Sequence, residues 1–581
     1  MIRLRGAALG MTSFRIETLE LDPEIISAHS RRDQRFTNWP VVYTLNNDTH
    51  IYVGESLNAS ARMRQHLESV EKAVLKSVRV VLDDTFNKSA CLDLESYLIQ
   101  LFAGDGKYRV LNRNDGIVDG DYYGRHDYRE TFEAIVEELR KHGAFLRSPR
   151  EIENNNLYKL SPYKALNGEQ LAAVRLILDM LIDDLTTGEA QPLVIQGEPG
   201  TGKTIVAIFV IKLIMDIAEM TLDSESGSDS ELSEYFNTEN HDRFQRLRIG
   251  LVIPQQSLRT TVKSVFRKTA GLREEMVLSV NDVGESSEGY DVLLVDETHR
   301  LGQRANQSSG SGNRRFAEIN ERLFGQDDLT FTQLDWIVAQ SKHQILMVDP
   351  SQSVRPADLP REVQRDLIKG AKDQGRCIVL FSQMRVAAGD DYVDYVRRLL
   401  TSDPPKPQRF VNYELRMYDD VKAMHRHIIA RNDAVGLARL VAGFAWEWKS
   451  KKDKGAFDID INGYQLRWNS SDTDWISKSG SVNEVGSIHT VQGYDLNYAG
   501  VIIGPELGYD DERGCIVFRR ERYMDKKGKE NNPRRGIRYS DDDVLNFVVG
   551  AYGVLLTRGV LGTYVYVCDP KLRDYLKRYV F

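Results

Sequence analysis

The segment Gln196-Gly-Glu-Pro-Gly-Thr-Gly-Lys-Thr204 follows the apolar run Leu193-Val-Ile195 and precedes Ile205-Val-Ala-Ile-Phe-Val-Ile-Lys-Leu-Ile214, a stretch of helical length. Strand, glycine-rich loop and helix in that order gather backbone N–H groups at a helix N-terminus, where the helix dipole also favours an anion. Gly197, Gly200 and Gly202 let the chain curl around phosphate oxygens, Lys203 adds a point charge, and Thr204 offers a hydroxyl to magnesium. A loop of this kind needs a parallel sheet behind it, because such sheets bind ligands at the carboxyl ends of their strands.

The flanking sequence supplies that sheet. From Leu171 onward, helical patterns alternate with the apolar runs Ile249-Gly-Leu-Val-Ile253, Val292-Leu-Leu-Val295, Ile345-Leu-Met-Val348 and Val501-Ile-Ile503. This alternation predicts an α/β class with helices on both faces of a parallel sheet. Val292–Val295 leads directly into Asp296 and Glu297. Asp296 is expected to hold magnesium and Glu297 to orient or deprotonate the attacking water, so ATP and Mg2+ are the expected cofactors.

The chain has 581 residues, which at about 150 residues per domain predicts three or four domains. An apolar fraction of 41% with 28% charged residues fits globular domains, and no apolar run approaches the ~18 residues of a membrane span. The opening MIRLRGAALG is too short in its apolar part for an export signal. Cys91, Cys377, Cys515 and Cys568 show no paired spacing, which predicts neither zinc nor disulfides and points to a reduced cytoplasm. The net charge of −8 gives no global attraction to nucleic acid, so any binding must use local basic grooves.

Further segments, taken in order, resemble the motifs of superfamily 1 helicases. Asn167-Gly-Glu-Gln170 is similar to the adenine-reading motif, which implies Gln170 as the reader; Asp349-Pro-Ser-Gln352 resembles the third motif, with Gln352 sensing the γ-phosphate. Ser382-Gln-Met-Arg385 resembles the fourth, making Arg385 an arginine finger, and Thr490-Val-Gln-Gly493 with Asp495 the fifth, where Asp495 stands for the more usual glutamate. Tyr552-Gly-Val-Leu-Leu-Thr-Arg558 resembles the sixth, whose arginine, here Arg558, reaches the γ-phosphate from a second lobe. Such an arginine neutralises transition-state charge only when the lobes close, which couples hydrolysis to movement. Asp296-Glu-Thr-His-Arg300, Ala442-Gly-Phe-Ala-Trp446-Glu-Trp448 and Leu466-Arg-Trp468-Asn469 resemble the Schlafen-type (group 3) DNA/RNA helicase domain across residues 160 to 581.

Two features of this region leave alternatives open. Trp446, Trp448, Trp468 and Trp475 either stack bases or pack the second lobe's core, the latter being the commoner use of bulky aromatics. Arg513, Arg519, Arg520, Arg522, Lys526, Lys527, Lys529, Arg534, Arg535 and Arg538 form either a phosphate-contacting surface or a solvated loop.

Near the amino terminus, Val41-Val-Tyr43 and Tyr52-Val-Gly54 flank Asn46-Asn-Asp-Thr-His50 as a hairpin. Asn58 begins a helix on which Arg62 and His66 share one face, and Glu95 lies on another with Leu92, Ile99 and Phe102 at helical spacings. The set resembles GIY-YIG nucleases, with Val41 in place of the first signature glycine. That resemblance implies that Tyr43 helps activate water, Arg62 stabilises the transition state, Glu95 binds a metal, Tyr52 and His66 support them, and Asn112 is the later asparagine. A phenol with pKa about 10 needs a nearby cation to become a base, and Arg62 with the metal is expected to provide it.

The expected architecture is therefore a small α+β GIY-YIG-like domain followed by two RecA-like parallel-sheet lobes. Its boundaries are an extension at 1–35, the nuclease-like domain at 36–130, a helical linker at 131–160, a first lobe at 161–375 and a second at 376–581. The expected function is an ATP-dependent helicase or translocase fused to a metal-dependent endonuclease, acting on DNA in preference to RNA and suited to defence against foreign DNA or to repair. Two rivals stand beside it: an ATP-gated nucleic-acid-binding switch with an inert amino-terminal domain, and an RNA-directed enzyme.

Overall fold

The computed structural model describes residues 3–5, 14–69, 72, 74–113, 122–220, 232–304, 310–353, 355–383, 385–389, 391–471, 475–478, 480–491 and 494–581. Met384 of the fourth motif and Gln492 and Gly493 of the fifth lie outside the described residues, as do parts of the stretch 224–242, rich in Ser, Asp and Glu, and of the polar stretch 307–313, both of which the sequence suggests as surface loops. The chain divides into two compact units, one of Met1–Leu178, Ile208–Arg246 and Thr261–Glu275, the other of Asp179–Ala207, Leu247–Thr260 and Met276–Phe581.

In the first unit, strands β1 (Arg3–Arg5), β2 (Phe14–Glu20), β3 (Val41–Asn46), β4 (His50–Ser56), β5 (Ser77–Asp83) and β6 (Arg109–Val110) form one sheet in the order β1-β2-β5-β3-β4-β6. The β3–β4 hairpin is closed by the Asn47 side chain, which accepts from the backbone of Thr49 and His50 at 2.8 and 2.7 Å. Asn58 caps the helix Ala59–Glu68 as read, accepting from Ala61 N at 3.0 Å. Two boundaries move. β2 pairs along its length with β5 and buries Phe14, Ile16 and Leu19, so much of the supposed extension is sheet and core. Phe132, Ile135, Val136, Leu139, Ile152 and Tyr163 join the same core, because their apolar faces bury against helix Lys88–Asp105; residues 131–160 are thus not a free linker.

The second unit holds two largely parallel sheets. The first contains β7 (Leu193–Gly197), β8 (Ile249–Val252), β9 (Val277–Leu278), β10 (Tyr290–Val295), β11 (Ser341–Val348) and β12 (Cys377–Leu380), ordered β12-β7-β11-β10-β8-β9 and parallel throughout. Since β12 pairs with β7, the first lobe runs past the expected limit at residue 375. The second sheet comprises β13 (Glu414–Tyr418), β14 (Ala438–Ala442), β15 (Ile459–Ile461), β16 (Tyr464–Trp468), β17 (Glu484–Ser487) and β18 (Leu496–Ile503). Beyond a hairpin of β19 (Leu507–Asp510) and β20 (Cys515–Phe518), β21 (Gly559–Val567) completes it in the order β13-β21-β18-β14-β17-β16-β15. Trp468 and Trp475 are almost wholly buried in it, and Trp446 and Trp448 pack half-buried on its core. Core packing is therefore the use this fold makes of its tryptophans. Among the described residues no helix is long and apolar enough to cross a membrane.

Candidate nucleotide site and amino-terminal cluster

The glycine loop leaves β7 at Gly197 and enters helix Lys203–Ala218, with Gly200 and Gly202 at φ 92° and 84°, a region open chiefly to glycine. Lys203 is buried, and its Nζ donates to the carbonyls of Gly197 at 2.7 Å and Glu198 at 2.9 Å. Because only β11 separates β7 from β10, the end of β10 reaches the loop: the Thr204 hydroxyl donates to Asp296 Oδ2 at 2.7 Å. These two oxygen donors fit magnesium, which takes hard oxygen ligands from one or two carboxylates and hydroxyls.

Glu297 adopts left-handed backbone at φ 51°, which costs a non-glycine residue about 1–3 kcal/mol and marks a site under constraint. Its Oε2 lies 2.9 Å from His299 Nε2, while His299 Nδ1 faces the backbone N–H of Asp349 at 3.4 Å. Accepting at Nδ1 leaves Nε2 as the donor toward Glu297. Burial pushes the Glu297 carboxyl up, but His299 and then Lys203 outweigh it and hold it well below the usual range. Burial raises the Asp296 carboxyl, and the neighbouring Glu297 charge adds to the rise.

Of the motif arginines, Arg558 lies within reach of the Glu297 charge. Arg385 pairs with Asp495 of the fifth motif. Arg558 is almost fully buried and donates to Tyr494 O at 3.3 Å; burial and then the nearby Arg385 push its guanidinium down to about 9, against the pull of Asp495 and Glu297. In the third motif, Gln352 Nε2 donates to Asp349 Oδ2 at 2.7 Å, and among the described residues its buried Oε1 has no hydrogen-bond partner. Gln170, by contrast, caps its own helix: Asn167 N donates to its Oε1 at 3.2 Å, and its backbone N–H donates to Asn167 Oδ1 at 2.8 Å. This local bond is an ordinary capping role that the reading of Gln170 as an adenine reader did not anticipate.

Three residues escaped sequence reading. Gln383 donates to Pro199 O at 2.7 Å, and a Cβ on Gly200 would collide with its Oε1. His299 links Glu297 to the third motif, and Arg397 pairs with Glu198 at 2.7 Å. Gln383 and His299 stood inside quoted motifs without an assigned role; nothing in local spacing marks Arg397. The basic stretch is largely paired within the second unit, by Arg519 with Asp569, Arg520 with Asp541, Lys527 with Glu530 and Arg535 with Gln303. Among the described residues the side chains of Arg522, Lys526 and Arg538 make no such bond.

In the first unit the nuclease-like residues gather. Tyr43 Oη lies 2.7 Å from His66 Nε2, the Tyr52 and His66 rings meet edge-on at 5.0 Å, and Arg62 lies against both phenols. Lys72 Nζ reaches His66 Nδ1 at 3.2 Å and covers the Tyr52 ring at 3.7 Å. Burial, with Lys72 and Arg62, drives the His66 pKa down to about 3. Asn112 clamps both backbone groups of Val53, at 2.8 and 3.0 Å. Tyr43 is fully buried, so its phenol is pushed well above 10, with Tyr52 adding to the rise and Arg62 opposing it; Arg62 alone does not bring the fall expected of Arg62 and a metal together. Leu92 is 46% exposed; the buried face of the Glu95 helix is Cys91, Leu94, Leu98, Ile99 and Phe102, and Glu95 stands half-buried at its edge. Among the described residues no group of three or more His, Cys, Asp or Glu is placed to hold a metal.

Glycine loop, paired acids and motif arginines on two largely parallel sheets define a P-loop nucleotide-binding protein with two lobes. The family model for the Schlafen group 3 DNA/RNA helicase domain matches residues 190–569, and the chain belongs to that family. The uncharacterized protein YPL245W of Saccharomyces cerevisiae is 25% identical over 481 residues, covering 77% of this chain and 98% of its own. Among solved structures, the Pif1 helicase from Bacteroides in complex with ADP-AlF3 and ssDNA aligns over 69% of this chain and 93% of its own, at 10% identity and a TM-score of 0.23, too slight a likeness to carry an argument.

Proposed function

We propose that this chain is an ATP-dependent helicase or translocase whose amino-terminal domain is a metal-dependent endonuclease of the GIY-YIG type, acting on DNA. The observation that carries the motor reading is the Thr204–Asp296 bond, which joins the two expected magnesium ligands beside Lys203 and Glu297. Magnesium supplies charge neutralisation on the phosphates when bound. Lys203 binds phosphate, Glu297 positions water through its contact with His299, and Arg385 and Arg558 offer positive charge from the fourth and sixth motifs. The test is ATP hydrolysis with and without single- and double-stranded DNA and RNA, with Lys203→Ala as control. No stimulation by any nucleic acid rejects the motor, and the stronger stimulant identifies the substrate.

The gathering of Tyr43, Tyr52, Arg62, His66 and Glu95 in one place supports the nuclease reading. A second reading, an inert amino-terminal domain that serves an ATP-gated binding switch, is favoured by the complete burial of Tyr43 and its raised pKa. Magnesium-dependent nicking of linear, circular and branched DNA separates the two. Activity that is lost in Glu95→Ala and in Tyr43→Phe selects the nuclease; absence of nicking with intact DNA binding selects the switch. Defence against foreign DNA or repair is the setting that the first reading suits.

A further inference from the structure

Arg397 lies on helix Asp391–Arg398, downstream of the fourth motif, and touches two segments at once. Its Nη1 stands 2.7 Å from Glu198 Oε1, inside the glycine loop, and its Nη2 stands 3.9 Å from Asp349 Oδ2, in the third motif. That same Asp349 oxygen accepts the Gln352 amide at 2.7 Å. Arg397 also borders a cleft of about 710 Å³ together with Pro199, Pro350, Gln352, Arg361 and Arg365. One guanidinium thus stands between the loop that would hold the phosphates and the glutamine that would sense the last of them.

The two members of the Glu198–Arg397 pair differ in freedom. The Arg397 side chain is 25% exposed and the Glu198 side chain 50%, so the carboxylate is the partner able to turn into water. A half-exposed ion pair is weak, whereas a guanidinium fork matches the geometry of a phosphate and bonds it strongly. The Glu198 backbone carbonyl is itself tied to Lys203 Nζ at 2.9 Å, so displacing its side chain leaves the loop anchored. We infer that Arg397 is a γ-phosphate-reading residue for which Glu198 and the terminal phosphate of ATP compete. Exchange of one for the other would report ATP to Asp349 and Gln352. The inference rests on the nucleotide-site reading above and adds to it a residue and a competition that no motif assigns.

The test uses the full-length chain and fluorescently labelled ATP and ADP. Glu198→Gln removes the competitor and is expected to tighten ATP about threefold to fivefold, with a smaller effect on ADP. Arg397→Gln is expected to weaken ATP about tenfold while leaving ADP within about twofold. The double variant should match Arg397→Gln alone, because a competitor has no effect once the contested group is gone. If the Glu198→Gln gain persists undiminished beside Arg397→Gln, it reflects only the loss of a nearby negative charge and the competition is overturned. Equal weakening of ATP and ADP overturns γ-phosphate reading. Should Arg397→Gln melt early, Arg397→Lys takes its place, and the Glu198→Gln gain must then shrink beside it. If Lys203→Ala binds labelled ATP as well as the unmodified chain does, the nucleotide-site reading itself fails.

Discussion

Thr204 and Asp296, 92 residues apart in sequence, meet through a 2.7 Å hydrogen bond from the threonine hydroxyl to Asp296 Oδ2. The parallel order that puts β11 between β7 and β10 brings both strand ends to one point. Glu297, next in sequence, is held beside them by its left-handed backbone and by His299. Replacing Glu297 by Gln should lower kcat for ATP by about 10²–10⁴ while ATP still binds, as expected for loss of a general base. Steady-state hydrolysis paired with labelled-ATP titration measures both quantities; an unchanged kcat would remove Glu297 from the chemistry.

Arg558 is buried beside Arg385, which makes its charge unfavourable until an anion arrives. Arg558→Ala should reduce kcat by about 10³–10⁵ with little change in ATP affinity, the pattern of a group that acts in the transition state. Arg558→Lys should not restore it, because an ammonium lacks the planar fork. Single-turnover hydrolysis distinguishes this from slow product release.

Gly54 stands opposite Tyr43 in the β3–β4 register, and a Cβ there would lie 2.4 Å from the Tyr43 hydroxyl. Gly54→Ala should therefore displace the phenol and destabilise the first unit by about 1–3 kcal/mol, as overpacking does. Urea unfolding followed by tyrosine fluorescence reads the stability. Nicking activity, if Tyr43 takes part in it, should fall in the same variant.

Glu506 is fully buried beside Tyr552, which donates to it, and burial raises its pKa from 4.5 to about 7. Between those values the folded chain keeps a proton that the unfolded chain releases, so stability falls as pH rises from 4.5 toward 7. The loss is on the order of 1–3 kcal/mol, since each pKa unit corresponds to about 1.4 kcal/mol. Glu506→Gln should flatten that slope. Thermal melts between pH 5 and pH 8 show whether the unmodified chain and the variant converge at the acid end and separate at the alkaline end.

Legibility in the sequence followed the range of the forces involved. The glycine loop, the DE pair after Val295, the Asn58 cap and the β3–β4 hairpin were readable because each is made by residues close in the chain, through turn sterics, capping and alternation. Gln170 shows the limit of that reading: its position suited an adenine reader, yet a three-residue capping bond explains its side chain as well. The basic stretch after the fifth motif read equally as a phosphate surface or a solvated loop, and much of it is paired within the second unit, Arg519, Arg520 and Arg535 with distant segments and Lys527 and Lys529 with nearby ones. Leu92 has helical spacing to Glu95, but the sheet covers a different face of that helix.

By itself, the sequence determined where the chain turns, which runs enter a core, and which side chains carry phosphate and carboxylate chemistry, since these depend on short-range geometry and on residue type. Tertiary structure alone decided that Thr204 meets Asp296, that Arg397 reaches both Glu198 and Asp349, that β2 and the 131–160 segment belong to the first unit's core, and that Tyr43 is sealed from water. Strand order and desolvation set those outcomes. Both are sums over contacts from the whole chain, and a phenol or a guanidinium acquires its working pKa only once that packing has excluded solvent around it.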